Sequence, residues 1–349
     1  MGGAEVQQVL IAWYLARRGY QVAFVTLDFG QPETTKVDGI TCYKAYRTEA
    51  GIPYLRFFYP RWTSIWGALR RADADIYYQR CAGMETGLLA AFCRRHHRKF
   101  VFAAGSDTDF DLKRAMIPTW RDRLLYMYGL HGADAIVTQT ERQRALLRQN
   151  FGLEAQLIPN CWAEELTAPK TLDEQDCVLW VSTVRIWKRP GLFLDLAECL
   201  PKVRFVMVGG PAFGEAVLYE HIEQRARRIP NLSFVGFVPF YEVSRYFDRA
   251  ALVVNTSEPK EGFPNTFLQA WCRGLPVVSF FDPDGIIQRQ QLGFAVNSLD
   301  TMRHGVLKLL NDTDLYGQIQ RNVLKYFQAN HRIERLGPRY EALFNGLMR

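Results

Sequence analysis

Two α/β domains, each built on a doubly wound and mostly parallel sheet, are what this sequence predicts. Three observations carry that expectation. The chain has 349 residues, about twice the length of a typical domain, so each half can bury its own core. Short apolar runs alternate with helical periodicities from one end to the other, the pattern of sheets whose parallel strands are joined by crossover helices. The alternation lapses once, between residues 159 and 176, into Pro, Asn and acidic residues, and that stretch is the expected interdomain linker. The domains are therefore expected at 1–160 and 177–332.

Taken in order, a helix is expected over about residues 4–18, leading into a strand at 21–26. Further strands are expected at 40–43, 76–78, 99–103, 135–137 and 155–158, each a run of β-branched, aromatic or small apolar residues bounded by turn formers. The second set starts at Val178-Leu179-Trp180-Val181 and continues at 203–208, 232–235, 252–254 and 277–279. Amphipathic helices near 300–329 and 333–348 end the chain.

The most informative stretch is Glu261-Gly262-Phe263-Pro264-Asn265-Thr266-Phe267-Leu268-Gln269. A strand-like run, 251–256, and a loop reaching Lys260 precede it. Behind it Leu268, Trp271 and Leu275 keep helical spacing until Gly274-Leu275-Pro276 stops the helix. Backbone N–H groups at a helix start are unpaired and attract phosphate oxygens. Glu261 just ahead supplies an acceptor for hydroxyls, and Gln269 lies two turns along roughly the same face. The bland alternative is an ordinary strand–helix unit with a solvated Glu.

This layout resembles the Glu-x(7)-Glu signature of retaining, nucleotide-sugar-dependent glycosyltransferases of family 4, which have the GT-B fold: two Rossmann-like domains facing a cleft. The resemblance implies that Glu261 contacts the donor sugar. It also implies that position 269 holds the nucleotide ribose, although Gln269 replaces the second Glu and offers an amide in place of a charged acceptor. The family's strand-to-helix turn with an Arg and a Lys for the donor diphosphate matches the segment Trp180–Pro190. Lys188 matches the Lys; Thr183 stands at the Arg position, with Arg185 two residues on as a substitute. A cationic pair there would neutralise the departing nucleoside diphosphate. Gly209, in Gly209-Gly210-Pro211, and Phe237-Val238 match loops that face the nucleotide and base. Gly262, Phe263, Pro264 and Asn265 complete the donor-binding set. In the first domain Ser106-Asp107 occupies the place where many relatives have a His near the donor sugar; Asp107 either orients substrate hydroxyls or caps the next segment. The resemblance also implies that the final helix, 333–348, crosses back to the first domain. No metal or other cofactor is expected, and the Asp109-x-Asp111 pattern is common by chance.

Gly2-Gly3 resembles the glycine loop that follows the family's first strand and lies against the donor diphosphate, where a side chain would keep the backbone from the phosphates. No strand precedes it here. Since the first strand of a doubly wound sheet is central, the expectation is that the native protein begins upstream of Met1.

Composition sets the remaining bounds. The apolar share is 48% and the charged share 23%, values of a soluble globular chain, with no uncharged apolar run long enough to span a bilayer. Seven scattered cysteines without C-x-x-C spacing argue for free thiols in a reducing cytoplasm. Of the net charge of +7, +6 lies in residues 1–158, where 21 Lys/Arg face 15 Asp/Glu. Residues 51–100 hold 9 against 3, and include Trp62, Ile65, Trp66 and Leu69 at helical spacing among arginines. Such a helix either lies on an anionic membrane or packs its stripe on its own sheet. No nucleic-acid-binding module is recognisable, so no nucleic acid partner is expected.

The function expected is transfer of a sugar from a nucleotide-diphosphate sugar to an acceptor hydroxyl in glycan or glycolipid assembly, at the cytoplasmic side. Two alternatives stand beside it: a catalytically impaired nucleotide-sugar binding protein, and a sugar-nucleotide epimerase on the same fold.

Overall fold

The computed structural model describes residues 2–52, 55–111, 117, 119–164, 171–259 and 261–349. It divides into two compact units: Gly2–Pro159 together with Ile333–Arg349, and Asn160–Arg332. Lys260 and residues 165–170 of the expected linker lie outside the described residues.

The first unit runs α1 (Gly3–Arg17), β1 (Ala23–Thr26), β2 (Thr34–Val37), β3 (Ile40–Lys44), α2 (Thr63–Ala72), β4 (Ile76–Arg80), α3 (Met84–His96), β5 (Lys99–Ala103), α4 (Trp120–His131), β6 (Ala135–Thr138), α5 (Glu141–Phe151) and β7 (Gln156–Leu157). Its strands form two sheets, β1-β3-β2 and β4-β5-β6-β7. All pairs are parallel except β2 with β3. β1 and β4 each end a sheet, and no described strand joins them. Both nonetheless serve one core: Val25 of β1 packs against the cluster built on Tyr77, Phe92, Phe100, Phe102, Tyr126 and Leu147.

The stripe on α2 points inward. Ile65 and Leu69 are core residues, Trp62 and Trp66 pack against the same core, and the Trp66 ring meets Phe92 edge-on at 5.0 Å. That settles the choice left by the sequence: the stripe holds α2 to its own sheet. α3 and α4 cross in backbone contact. A Cβ on Gly87 would lie 2.3 Å from the Leu125 carbonyl oxygen, and one on Gly129 would lie 2.3 Å from Thr86 backbone, so only glycine fits either position.

The second unit runs β8 (Cys177–Val181), α6 (Pro190–Cys199), β9 (Phe205–Val208), α7 (Ala216–Ala226), β10 (Leu232–Gly236), α8 (Ser244–Phe247), β11 (Ala250–Asn255), α9 (Asn265–Trp271), β12 (Val277–Ser279), α10 (Ile286–Arg289), β13 (Gly293–Ala295), α11 (Leu299–Asn311) and α12 (Thr313–Asn330). Its single six-stranded sheet has the order β10-β9-β8-β11-β12-β13, parallel throughout. β9 and β11 are buried at every position, since helices cover both faces, whereas the edge strand β10 is partly exposed. The chain goes from β8 to β9 on one side and later returns to β11 on the other. The strand order therefore reverses between β8 and β11, and the carboxyl ends of strands at such a reversal are where open α/β sheets bind ligands.

The last helix, α13 (Ile333–Leu347), belongs to the first unit and packs on α1: the Tyr14 hydroxyl donates to Glu341 at 2.9 Å, and Tyr20 to Asn345 at 3.3 Å. Sequence reading missed β2 and β13. Both are short, and neither has the apolar run that marks a central strand.

Candidate functional site

The loops leaving β8 and β11 meet at the reversal point, and this meeting brings two of the sequence-chosen residues together. The Lys188 ammonium contacts the Glu261 carboxylate through Oε1, with both side chains largely buried. The two loops are knitted by side-chain and backbone hydrogen bonds. The Thr256 hydroxyl donates to the Lys188 carbonyl at 2.6 Å, and Glu258 N–H donates to the Trp187 carbonyl at 2.9 Å. Arg189, in the left-handed region at φ +47°, donates to the carbonyls of Thr256 (2.7 Å) and Ser257 (3.1 Å). Trp180 at the end of β8 donates to the Thr256 hydroxyl at 3.0 Å. Lys188 and Glu261 are thus placed by scaffold on both sides.

Burial sets the electrostatics of this pair apart from those of a surface ion pair. Burial, with the Arg185 charge adding to it, pulls the Lys188 ammonium down to about 7. The Trp187 ring lies under that ammonium at 4.3 Å. The other Glu261 oxygen, Oε2, is buried with no hydrogen-bond partner among the described residues. A buried carboxylate oxygen left unsatisfied costs free energy that a hydroxyl donor would recover.

The glycine positions have a steric cause. Gly209 follows β9 so closely against the end of β8 that a Cβ would lie 1.9 Å from the Ser182 carbonyl oxygen. Gly210 lies against the Phe237 side chain, whose Cβ is 2.9 Å from where a Cβ on Gly210 would be. Phe237, just past β10, is 70% exposed, and Val238 beside it is half-buried. These loops leave the carboxyl ends of neighbouring parallel strands, on the side of the sheet that carries Lys188.

The Gly262–Asn265 segment is held from beneath. Phe263 meets Trp271 at 5.9 Å and His331 at 4.9 Å between ring centres. Asn160 donates from Nδ2 to the Phe263 carbonyl at 3.0 Å and to Asn265 Oδ1 at 3.2 Å. The His331 ring bonds the Asn160 carbonyl through Nδ1 at 2.8 Å, and burial pulls its pKa down to about 4, so the ring is neutral. Pro264 caps α9, and Gln269 sits buried in that helix's second turn. Asn160 and His331 went unnoticed in the sequence, because their contacts with the loop span long stretches of chain and neither carries a local signature.

In the first unit, Asp107 is 6% exposed and its carboxylate is bound by Arg142 Nε at 2.8 Å. The capping role falls instead to Ser106 and Asp109: Asp109 Oδ2 accepts from Gly105 N–H at 2.6 Å and from Ser106 N–H at 3.2 Å. Asp109 is thereby committed to shaping the loop. Gly2 precedes α1 in an extended conformation and Gly3 is its first residue; the Val6 N–H donates to the Gly2 carbonyl.

Comparison with known proteins supplies the chemical context. Residues 1–162 match the family model described as Glycosyltransferase Family 4, and residues 175–312 match the one described as Glycosyl transferases group 1. An uncharacterised glycosyltransferase of Haemophilus influenzae is 23% identical over 337 residues, covering 91% of this chain and 89% of that protein. Among solved structures, a sucrose-phosphate synthase from Thermosynechococcus elongatus superposes with a TM-score of 0.79 at 17% identity, covering 99% of this chain and 94% of the other. The Anabaena HepE protein in complex with UDP-glucose superposes at 0.77 and 17% identity, with 99% and 96% covered. At these identities the superpositions establish a shared fold.

Proposed function

The chain belongs to the glycosyltransferases, and from that premise we propose that it is a retaining hexosyltransferase whose donor is held by Lys188, Arg185 and Glu261. Nucleotide-sugar-dependent glycosyl transfer is its chemistry; the stereochemistry, the residue roles and the acceptor are our reading. The observation that carries it is the Lys188–Glu261 pair at the strand-order reversal, with Glu261 Oε2 buried and unsatisfied.

In this reading Lys188 and the Oε1 oxygen of Glu261 pair with each other until a donor arrives. The diphosphate then draws Lys188 and Arg185 to its oxygens, while Glu261 accepts hydrogen bonds from sugar hydroxyls through both carboxylate oxygens. Gly209 and the Gly262–Asn265 loop leave room for backbone to approach the phosphates, Phe237 and Val238 flank the base, and Gln269 reaches the ribose. Within the first unit, Asp107 with Arg142 is the pair we assign to orienting acceptor hydroxyls. The bond from the anomeric carbon to the phosphate oxygen breaks, and a bond to the acceptor oxygen forms on the same face. The acceptor's proton passes to the departing phosphate. Cationic side chains do the charge neutralisation, so the proposal includes no metal. The acceptor we favour is a glycan or lipid-linked hydroxyl, with the protein at the cytoplasmic face of a membrane. Among the described residues no helix is long and apolar enough to cross a membrane.

Thermal unfolding across UDP, GDP, ADP and their sugars tests the reading, uridine donors first because the HepE protein was solved with UDP-glucose. One nucleoside diphosphate should raise the transition, and Lys188→Ala should abolish most of the rise, since a hydrogen bond from a charged group contributes about 1.5–3 kcal/mol. No response to any of them would overturn the donor assignment. Binding without either transfer or donor hydrolysis would favour the impaired binding protein, to which Gln269 at the second acidic position points.

A further inference from the structure

The first unit carries an apolar surface that its own core does not use. In α4, the inner face closes on α3 through Tyr126, Gly129 and Leu130. The outer face presents Trp120, Leu124 and Tyr128, one turn apart from each other, at 76%, 57% and 44% exposure. A second exposed group, Leu55, Phe58 and Tyr59 at 60%, 63% and 72%, lies in the segment between β3 and α2. The two groups adjoin, because the Arg121 guanidinium stacks on the Phe57 ring at 3.7 Å and Phe58 packs edge-on against Phe57 at 5.0 Å. Soluble monomers rarely leave so many large apolar side chains together in water.

The charges around them are mainly positive. Arg56 and Arg123 are exposed beside the two groups. Arg121 adds a third guanidinium, and its neighbour Asp122, which pairs with it at 2.7 Å, is the acid that the same helix turn supplies. Aromatic and leucine side chains ringed by arginines match the interface of a bilayer containing anionic lipid. There rings sit at headgroup depth and guanidinium groups meet phosphates. Both groups lie on segments leaving the carboxyl ends of strands, β3 and β5, and the β5 segment is the one that carries Asp107.

We infer that Leu55, Phe58, Tyr59, Trp120, Leu124 and Tyr128, with Arg56 and Arg123, form a docking face for an anionic membrane. The stripe on α2 has no part in it. The inference stands on this surface alone and does not need the donor assignments above.

Co-sedimentation with vesicles of phosphatidylcholine, with and without phosphatidylglycerol, tests it on the full chain. The protein should partition onto the anionic vesicles and leave them as salt is raised. Phe58→Ser with Trp120→Ser, both on exposed side chains, should lower partitioning by roughly tenfold or more at an unchanged unfolding temperature. Arg56→Gln with Arg123→Gln should remove the preference for anionic lipid while leaving weak apolar binding. Absence of vesicle binding, or variants that bind as well as the parent, would overturn the inference. So would concentration-dependent dimerisation that Trp120→Ser abolishes, since the face would then cover a second copy. Transfer to a water-soluble acceptor would be untouched by any of these results.

Discussion

At the residue scale, the chemistry concentrates in Lys188. Its ammonium is pulled down to about 7 by burial, so it is cationic below that pH and loses its charge above it. A diphosphate binds the cation, and binding therefore raises the lysine's proton affinity. Nucleoside diphosphate affinity should be greatest on the acid side of about pH 7 and weaken as pH rises through it. Lys188→Arg, charged at every working pH, should give a flat profile; calorimetric titrations between about pH 6 and pH 9 distinguish the two. Glu261→Gln keeps the shape of the side chain and removes its charge, so it should leave nucleoside diphosphate binding within a few-fold while lowering transfer by about 100-fold or more. A large loss of diphosphate affinity would instead make Glu261 a structural partner of Lys188. Both residues were legible in the sequence because each lies in a loop whose flanking strand and helix have strong periodicity. Their contact was not legible, because it joins two loops 73 residues apart.

At the element scale, the loop before α9 is set by residues at the boundaries of its unit. Asn160 opens the unit, His331 lies one residue from its end, and both reach the Phe263–Asn265 backbone or its rings. Asn160→Ala should leave the buried Phe263 carbonyl without its donor, at a cost of about 1–3 kcal/mol, and should weaken donor affinity more than it slows bound donor. Equal donor affinity in parent and variant would show that the loop holds its shape without Asn160. His331 makes the same support sensitive to acid. Its folded pKa is about 4 against 6.5 for the free side chain, so the unfolded chain takes up the proton first as pH falls. The stability tied to the neutral ring is complete above about pH 6.5 and is lost progressively down to about pH 4, up to about 3 kcal/mol. Urea unfolding across that range should show this slope in the parent and a smaller one in His331→Phe. Nothing in the sequence around Asn160 pointed to this role. The alternation of strand and helix gave the elements, while side-chain contacts between distant segments were set by packing that no window of sequence contains.

At the scale of the whole molecule, two cores imply two unfolding events. The unit of Asn160–Arg332 has an unbroken six-stranded sheet, whereas the other has its strands divided between two sheets. Calorimetry should resolve two transitions, and a nucleoside diphosphate at about 100 times its Kd should raise only one of them, by about 2.7 kcal/mol. A single transition shifted as a whole would mean that the units unfold together. The fold class was readable because parallel strands covered on both faces are near-continuous apolar runs. The antiparallel strand β2, largely exposed and mostly polar, lacks that signal.

The division between β1 and β4 has a further consequence, and it concerns the company the protein keeps at high concentration. A strand that ends a sheet presents a ladder of donors and acceptors to whatever extended chain comes near, and here two such ladders belong to one core. Neither β1 nor β4 carries a proline, and the only lysine or arginine in either is the largely buried Arg80, so neither has the exposed charge that usually discourages pairing between molecules. Strand exchange or fibrillar association should therefore start in residues 23–26 and 76–80. Light scattering should rise steeply with protein concentration, and placing a lysine at Phe24 should suppress it.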